Sequence, residues 1–283
     1  EITTRLVGSE MCIRDSFCTM SGIVYSKDQK TIAAYPAGRP DTAFAIPEGT
    51  TGIGNGAFYG CTNLTQVTIP EGVTSIGDRA FYTCTGLTEI TIPEGVTSIG
   101  DRAFAGYYTF GDGTERTVNM NLTSVSLPNS LTSIGDGAFQ FCTKLESIVI
   151  PDGMTAIESG TFYGCESLQS ISIPDSVMAI GGSAFIGCKS LKSVAIPSGV
   201  TSIDTWTFTA CESLASVTIP DSVTKIGQTA FDGCTALKDV YFLGTKDAWQ
   251  KVTIESGNEA ITENAAIHYF SEWTREKEPT CTE

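Results

Sequence analysis

The chain has 283 residues, of which 41% are hydrophobic, so it is long enough to bury the core of one large domain or two small ones. Its formal net charge of −15 argues against nucleic acid and anionic membranes as partners, because phosphate groups are neutralised by Lys and Arg. No apolar run approaches the roughly 20 residues that a membrane-spanning helix needs, so we expect no membrane insertion within this segment.

The N-terminal residues differ from the rest of the chain. Within residues 1–16, the run Glu-Met-Cys-Ile-Arg-Asp-Ser at 10–16 resembles the in-frame translation of a transposon end that is used to tag sequencing libraries. We therefore interpret residues 1–16 as a sequencing-adapter artefact, the alternative being a natural disordered arm. Residues 17–45 are predicted to form an irregular N-terminal cap that contains a hairpin between 22–26 and 31–35.

Residues 46–241 repeat with a period of 23 residues. Each copy begins with Ile-Pro, or with Leu-Pro at Leu127, and the single longer step of 35 residues separates Ile92 from Leu127. The segment therefore contains eight copies and one insertion. Phenylalanine fills the thirteenth position of every copy: Phe58, Phe81, Phe104, Phe139, Phe162, Phe185, Phe208 and Phe231.

Each copy contains one short alternating run, such as Leu87 to Ile92, which predicts a strand with one buried face. A proline follows and ends the strand, because proline has no N–H for a ladder. The Asp-x-Ala-Phe pattern of Asp78 to Phe81 suggests an N-cap and a short helical turn. Since 23 residues cannot close a core alone, we predict an α/β repeat solenoid with one parallel β-sheet face and short helical turns on the other.

The insertion and the C-terminal segment interrupt this period. The insertion, at about 107–118, contains Gly-Asp-Gly between polar and aromatic runs, which indicates a protruding hairpin. Residues 242–270 are predicted to be a C-terminal cap, with a helical turn near 246–250 and a strand near 251–254. Residues 271–283 are interpreted as a tail that opens a truncated further module.

The motif Leu-x-x-Ile-x-Ile-Pro-x-x-Val-x-x-Ile-Gly-x-x-Ala-Phe-x-x-Cys is similar to the BspA-like leucine-rich repeat of bacterial cell-surface proteins. This resemblance covers residues 46–241. It implies a non-catalytic protein at the cell surface or secreted, which adheres by contact with host or microbial surface proteins. We separately expect the chain to be a monomer. Two alternatives stay open: a structural spacer that presents a downstream module, and glycan binding, which is disfavoured because the strand face lacks stacking aromatics.

Seven copies carry a cysteine at the sixteenth position. A zinc site requires paired cysteines or nearby histidines, and His268 is the single histidine of the chain. Disulfides between adjacent copies have a permitted Cα spacing, but stacked side chains point the same way. The pattern therefore favours a column of free, buried thiols at Cys61, Cys84, Cys142, Cys165, Cys188, Cys211 and Cys234.

No catalytic, metal or cofactor site emerges from the sequence. A nucleophile needs an adjacent base, and a lone histidine near the C-terminal cap is a poor candidate. Acidic residues recur at the third position, but Asn129 and Ser198 interrupt this column. A solvated face therefore fits better than a Ca²⁺ site, which needs six or more oxygen ligands.

Two regions supply candidate ligand-binding residues. The outward positions of the predicted strands are rich in hydroxyl groups, which suits weak or multivalent contact but equally suits any exposed strand. The candidates on this face are Glu89, Ser147, Ser170, Ser193, Ser216, Lys238 and Tyr241. In the insertion they are Tyr107, Tyr108, Phe110 and Arg116, the alternative being a tolerated surface loop. Trp206, predicted to be exposed, is interpreted as incidental.

Overall fold

The computed structural model describes residues 6–7, 10–13, 16–109, 115–117 and 120–270; of 6–7, 10–13, 107–109 and 115–117 it describes the backbone alone. An antiparallel meander precedes the repeats, and the predicted hairpin is confirmed by the pairing of its last two strands. Its strands are β1 Leu6–Val7, β2 Glu10–Ile13, β3 Phe17–Met20, β4 Ile23–Ser26 and β5 Thr31–Ala34. The artefact origin of residues 1–16 stays a prediction.

The predicted strand of each copy forms one face of the solenoid, here called the strand face. Adjacent strands run parallel with equivalent residues opposite each other, such as Ile90 opposite Val125 and Val217 opposite Val240. The strands of this face are β6 Ala43–Ala45, β8 Gln66–Thr68, β10 Glu89–Thr91, β14 Ser124–Ser126, β16 Ser147–Val149, β18 Ser170–Ser172, β20 Ser193–Ala195, β22 Ser216–Ile219, β24 Asp239–Phe242 and β26 Ala266–Tyr269.

A second row of parallel strands, each of two residues, follows the proline of each copy. It stacks on β5 through the pairing of Ile32 with Ile53, so the meander leads directly into the solenoid. The row comprises β7 Gly52–Ile53, β9 Ser75–Ile76, β11 Ser98–Ile99, β15 Ser133–Ile134, β17 Ala156–Ile157, β19 Ala179–Ile180, β21 Ser202–Ile203, β23 Lys225–Ile226 and β25 Thr253–Ile254.

The repeated phenylalanines form the centre of one continuous core. All eight are fully buried, and successive rings stack nearly parallel. For example, the ring centroids of Phe81 and Phe104 are 5.1 Å apart and those of Phe104 and Phe139 are 5.4 Å apart. The repeated leucines are buried around the same column. Equivalent side chains therefore lie over one another, as the 23-residue period predicts.

The predicted helical turns are wrong. The eleventh residue of every copy has a positive φ, as at Arg79 (53°), and so does the fifteenth residue of seven copies, as at Thr83 (56°). A right-handed helix cannot continue through such left-handed residues. The amide of Tyr82 bonds locally to Arg79 O at 3.1 Å, whereas the amide of Thr83 donates to Ala105 O of the next copy at 2.9 Å. This side of the solenoid consists of stacked turns and is called the turn face below.

The insertion and the C-terminal cap contain the remaining elements. The insertion forms an antiparallel pair, β12 Tyr107–Thr109 with β13 Glu115–Thr117, which confirms the predicted hairpin. Among the described residues, the helices are α1 Lys246–Trp249, at the predicted place, and a π-helical segment Ala260–Asn264. None of the described helices combines the length and apolar character that crossing a membrane demands.

The cysteine column consists of buried free thiols, as predicted. Cys61 donates to Tyr35 O of the N-terminal cap, and each of the other thiols donates to a phenylalanine carbonyl of the preceding copy; the distance from Cys165 Sγ to Phe139 O, for example, is 3.3 Å. Burial raises the pKa of the Cys142 and Cys188 thiols well above the ordinary value. The thiolate, which is the form that attacks electrophiles and binds metals, is therefore disfavoured at these two positions.

A polar cluster connects the N-terminal meander to the first copy. Tyr35 Oη and Arg39 Nε each donate to Asp41 Oδ2 at 2.6 Å, and Arg39 Nη1 donates to Ser21 O at 2.6 Å. The Tyr35 ring stacks on Phe58, the first ring of the core column, at 5.4 Å. The hydrogen bond from Tyr35, and to a smaller extent the one from Arg39, holds the pKa of Asp41 below its ordinary value.

This lowered pKa predicts an acid dependence of stability. Because the folded-state pKa of Asp41 lies below the unfolded value of about 3.9, its contribution is present above that value and is lost as the pH falls through the folded-state pKa. We expect Asp41→Asn to lower the free energy of unfolding at about pH 6, with a smaller difference from wild type near pH 3. Urea unfolding at several pH values measures this, and a difference that stays constant with pH would contradict it.

Candidate binding surfaces

The strand face brings together most of the candidates that the sequence identifies. Glu89, Ser147, Ser170, Ser193 and Ser216 occupy equivalent outward positions, so they form one column across parallel strands. The first four are exposed, and Ser216 is half-buried. Towards the C-terminus, Ser216 lies opposite Asp239 in register. The column is thus a real feature of the surface, and its use for binding stays a prediction.

The C-terminal end of this face carries a cluster that the sequence analysis only partly identifies. Lys238 is exposed and Tyr241 is half-buried. The Tyr241 ring stacks on the His268 ring with centroids 4.9 Å apart, and His268 Nε2 lies 2.8 Å from Asp239 Oδ1. His268 reaches this position because β26 adds a further parallel strand beside β24. Since the cap does not follow the 23-residue period, no repeat signal could have aligned Tyr241 with His268.

Two exposed apolar side chains extend this cluster. Leu243 and Phe270 follow β24 and β26 and are 46% and 57% exposed. They continue the alternation in which Tyr241 and His268 face outward while Phe242 is buried. We call Asp239, Tyr241, Leu243, His268 and Phe270 together the C-terminal patch.

The insertion candidates lie at the edge of what the structure describes. Tyr107 and Tyr108 lie in β12, and Arg116 lies in β13, opposite Tyr108. Their side chains, and all of Phe110, lie outside the described part of the chain. The hairpin therefore brings Tyr108 and Arg116 to adjacent strands, and their role in binding stays a prediction.

A groove on the turn face was missed by the sequence analysis. It runs from the first to the seventh copy and has two halves that share Arg102 and Asp136. We call it the turn-face groove. Its lining residues are Asn55, Gly56, Tyr59, Asp78, Arg79, Asp101, Arg102, Asp136, Gly137, Gln140, Ser159, Gly160, Gly182, Ser183, Thr205 and Trp206.

The acidic residues of this groove connect successive copies. Asp78, predicted to cap a helical turn, instead accepts a hydrogen bond through Oδ1 from the Asp101 amide of the next copy at 3.0 Å. Asp101 accepts equally from the Asp136 amide, and Asn55 from the Asp78 amide. The side chain at the tenth position is therefore fixed along one edge of the groove. This role depends on contacts between copies, which a pattern within one copy cannot indicate.

The described residues contain no group of three or more acidic, histidine or cysteine side chains that could hold a metal ion. The acidic residues of the third position are exposed, which fits the predicted solvated face. Glu94 Oε1, for example, accepts a hydrogen bond from the Asn129 amide of the next copy at 3.1 Å.

Parallel strands in register around one column of leucine and phenylalanine define a leucine-rich-repeat solenoid. A family model described as the BspA type leucine-rich repeat region matches residues 40–112 and 117–238 in six copies, which is more than half of the chain. The chain therefore belongs to the BspA-type leucine-rich-repeat family.

Solved structures of bacterial leucine-rich-repeat proteins resemble this chain. A T. pallidum protein is 27% identical with a TM-score of 0.50, and the match covers 76% of this chain and 86% of that one. One from Eubacterium ventriosum is 25% identical with a TM-score of 0.52, covering 77% and 50%. A Faecalibacterium prausnitzii protein described as a leucine-rich cell surface protein is 32% identical with a TM-score of 0.41, covering 76% and 63%. Among curated proteins, none is similar enough to count as a match.

Proposed function

We propose that this chain is a non-catalytic adhesion module that binds host or microbial surface proteins through its strand face, at the cell surface or as a secreted protein. Membership of the BspA-type family supports a protein-binding scaffold. The observation that carries the proposal is the C-terminal patch. Tyrosine is among the residue types that dominate the energetics of protein interfaces, and here Tyr241 is held against His268 beside exposed Leu243 and Phe270.

The arrangement of the patch suits contact with a protein. An aromatic ring that is already fixed by stacking loses little conformational freedom on binding. The exposed Leu243 and Phe270 offer apolar area at one end, and the pair of His268 and Asp239 offers polar groups beside it. The column of outward residues, Glu89, Ser147, Ser170, Ser193 and Ser216, extends the contact surface. Its polar side chains would each add little binding energy, as the residues that surround an interface hot spot do.

The test is binding of the purified full chain to cultured epithelial cells. We expect saturable binding that is lost when the cells are first treated with trypsin. Tyr241→Ala combined with Phe270→Ala should weaken the binding about tenfold or more, because each removes a ring from the patch. Met178→Ala removes an exposed side chain of the turn before β19 and serves as the matched control, with binding unchanged.

The alternatives give different outcomes in the same experiment. The absence of saturable binding would favour a structural spacer. Binding that survives trypsin but is lost after glycosidase treatment would favour a glycan ligand. Deletion of residues 107–118 tests the insertion, since unchanged binding by that variant would remove Tyr107, Tyr108, Phe110 and Arg116 from the candidates.

A further inference from the structure

The turn-face groove combines hydrogen-bond donors and acceptors of both charges. Along its first half, Asp78, Asp101 and Asp136 supply carboxylates, and Arg79 and Arg102 supply guanidinium groups. The arginine and lysine partners in the ion pairs of the described residues are Arg39, Lys189 and Lys225, so neither groove arginine is committed to an ion pair there. The groove therefore presents nearly balanced charge, unlike the whole chain at −15.

Exposed aromatic rings stand at the two ends of the groove. Tyr59 is 44% exposed and is supported from behind by the buried Tyr82, with ring centroids 5.3 Å apart. Trp206, at the other end, is 52% exposed. Six copy-to-copy steps of about 4.8 Å separate the two rings, so the groove extends over roughly 30 Å.

The backbone indicates that the side chains of this groove matter. Arg79, Arg102 and Trp206 all occupy the eleventh position, where φ is positive. Gly56, Gly137 and Gly160 fill the same position in other copies. Glycine adopts this conformation without the steric cost that other residues bear. An arginine or a tryptophan here therefore gives up backbone stability that glycine would retain, and at Gly160, where no atom would contact a Cβ, the groove floor is open.

We propose that the turn-face groove binds a linear, neutral polysaccharide. Sugar hydroxyls both donate and accept hydrogen bonds along the whole chain, so they match alternating carboxylates and guanidinium groups. The C–H faces of pyranose rings can lie on Tyr59 and Trp206, whose rings combine an apolar body with a polar atom. A long, narrow ligand of repeating units also suits a groove whose own walls repeat.

The charges and the shape favour this ligand over others. An anionic polysaccharide would face three aspartates and a strongly acidic protein. In protein interfaces the aromatic hot spots cluster near the centre of the contact. Along this groove the wall consists mainly of Asp, Arg, Asn, Gln, Ser, Thr and Gly, with aromatic rings confined to its ends.

The experiment is isothermal titration calorimetry of the full chain with cellohexaose, maltohexaose and chitohexaose, and with an anionic hyaluronan hexasaccharide. We expect at least one neutral hexasaccharide to bind with a Kd of about 1 mM or lower, and hyaluronan to bind more weakly. Trp206→Ala and Tyr59→Ala should each weaken the binding about tenfold, whereas Trp206→Phe should retain part of it. Met178→Ala, which is exposed outside the groove, should leave it unchanged.

Three results would overturn the proposal. The first is that none of the neutral hexasaccharides binds. The second is that the double variant Tyr59→Ala with Trp206→Ala, verified as folded by circular dichroism, binds as well as wild type. The third is that groove variants lose trypsin-sensitive binding to cells while no glycan binds, which would make the groove a protein site. Since the adhesion test depends on Tyr241 and Phe270, either proposal can fail while the other stands.

Discussion

Replacing Phe139 with alanine is expected to lower the free energy of unfolding by about 3–5 kcal/mol, the range for truncating a fully buried aromatic side chain. Phe139 lies in the middle of the ring column, with Phe104 at 5.4 Å on one side and Phe162 at 5.8 Å on the other. Its removal leaves a cavity, and the rings of Phe104 and Phe162 each lose a stacking partner. The neighbouring copies cannot collapse into this space without giving up strand pairing, so little of the loss can be recovered.

Urea unfolding followed by circular dichroism and by tryptophan fluorescence measures this effect. Two probes are needed because repeat arrays can unfold in parts. Trp206→Ala is the matched control, since it also truncates an aromatic ring to alanine but at an exposed position, and it should cost less than about 1 kcal/mol. Equal destabilisation by the two variants would contradict the stacked core.

Asn258→Ala is expected to destabilise the C-terminal cap by about 3 kcal/mol. The buried Asn258 side chain accepts a hydrogen bond from the Phe231 amide at 3.0 Å and donates to Gly227 O at 2.9 Å and Glu255 O at 2.8 Å. Alanine would leave these groups of the last copy and the cap without their partner, at about 1–3 kcal/mol for each buried group that stays unsatisfied.

The matched variant for this site is Asn258→Asp. Aspartate keeps the acceptor for the Phe231 amide but cannot donate to the two carbonyl oxygens, and its charge would lie against them. We therefore expect Asn258→Asp to be at least as destabilising as alanine, although it is nearly isosteric. Hydrogen exchange of the amides in β24 and β25 localises the loss. A wild-type exchange pattern in Asn258→Ala would contradict a capping role.

The solenoid could be predicted from the sequence because the same spacing of buried residues recurs in all eight copies. Each phenylalanine, leucine and strand of the repeat recurs at a fixed offset, so a single consistent stacking satisfies all copies. The turn face was mispredicted as helical because Asp, Ala and Phe suit a helix N-terminus as well as a turn. What excludes the helix is the left-handed conformation at Arg79 and Thr83, and both residue types are compatible with helices elsewhere.

The candidate sites were predicted less completely, because the period aligns only those residues that occupy equivalent positions in the copies. The alignment of Glu89, Ser147, Ser170, Ser193 and Ser216 in one column follows from the repeat, because the parallel strands place equivalent residues side by side. Asp239 and His268 are separated by 29 residues with no shared period, and only the addition of β26 to the sheet brings them within 2.8 Å. Trp206 had no apparent role because the groove that it borders exists only between copies.

The period of 23 residues by itself determined the repeat count, the buried column and the place of the insertion, because a periodic pattern fixes which side chains stack. The tertiary structure alone decided how the turn face is built, how the cap is closed by Asn258, and which exposed side chains become neighbours. These depend on hydrogen bonds from one copy to the next and on left-handed backbone conformations that the residue types at Arg79 and Thr83 do not indicate, so no single copy encodes them.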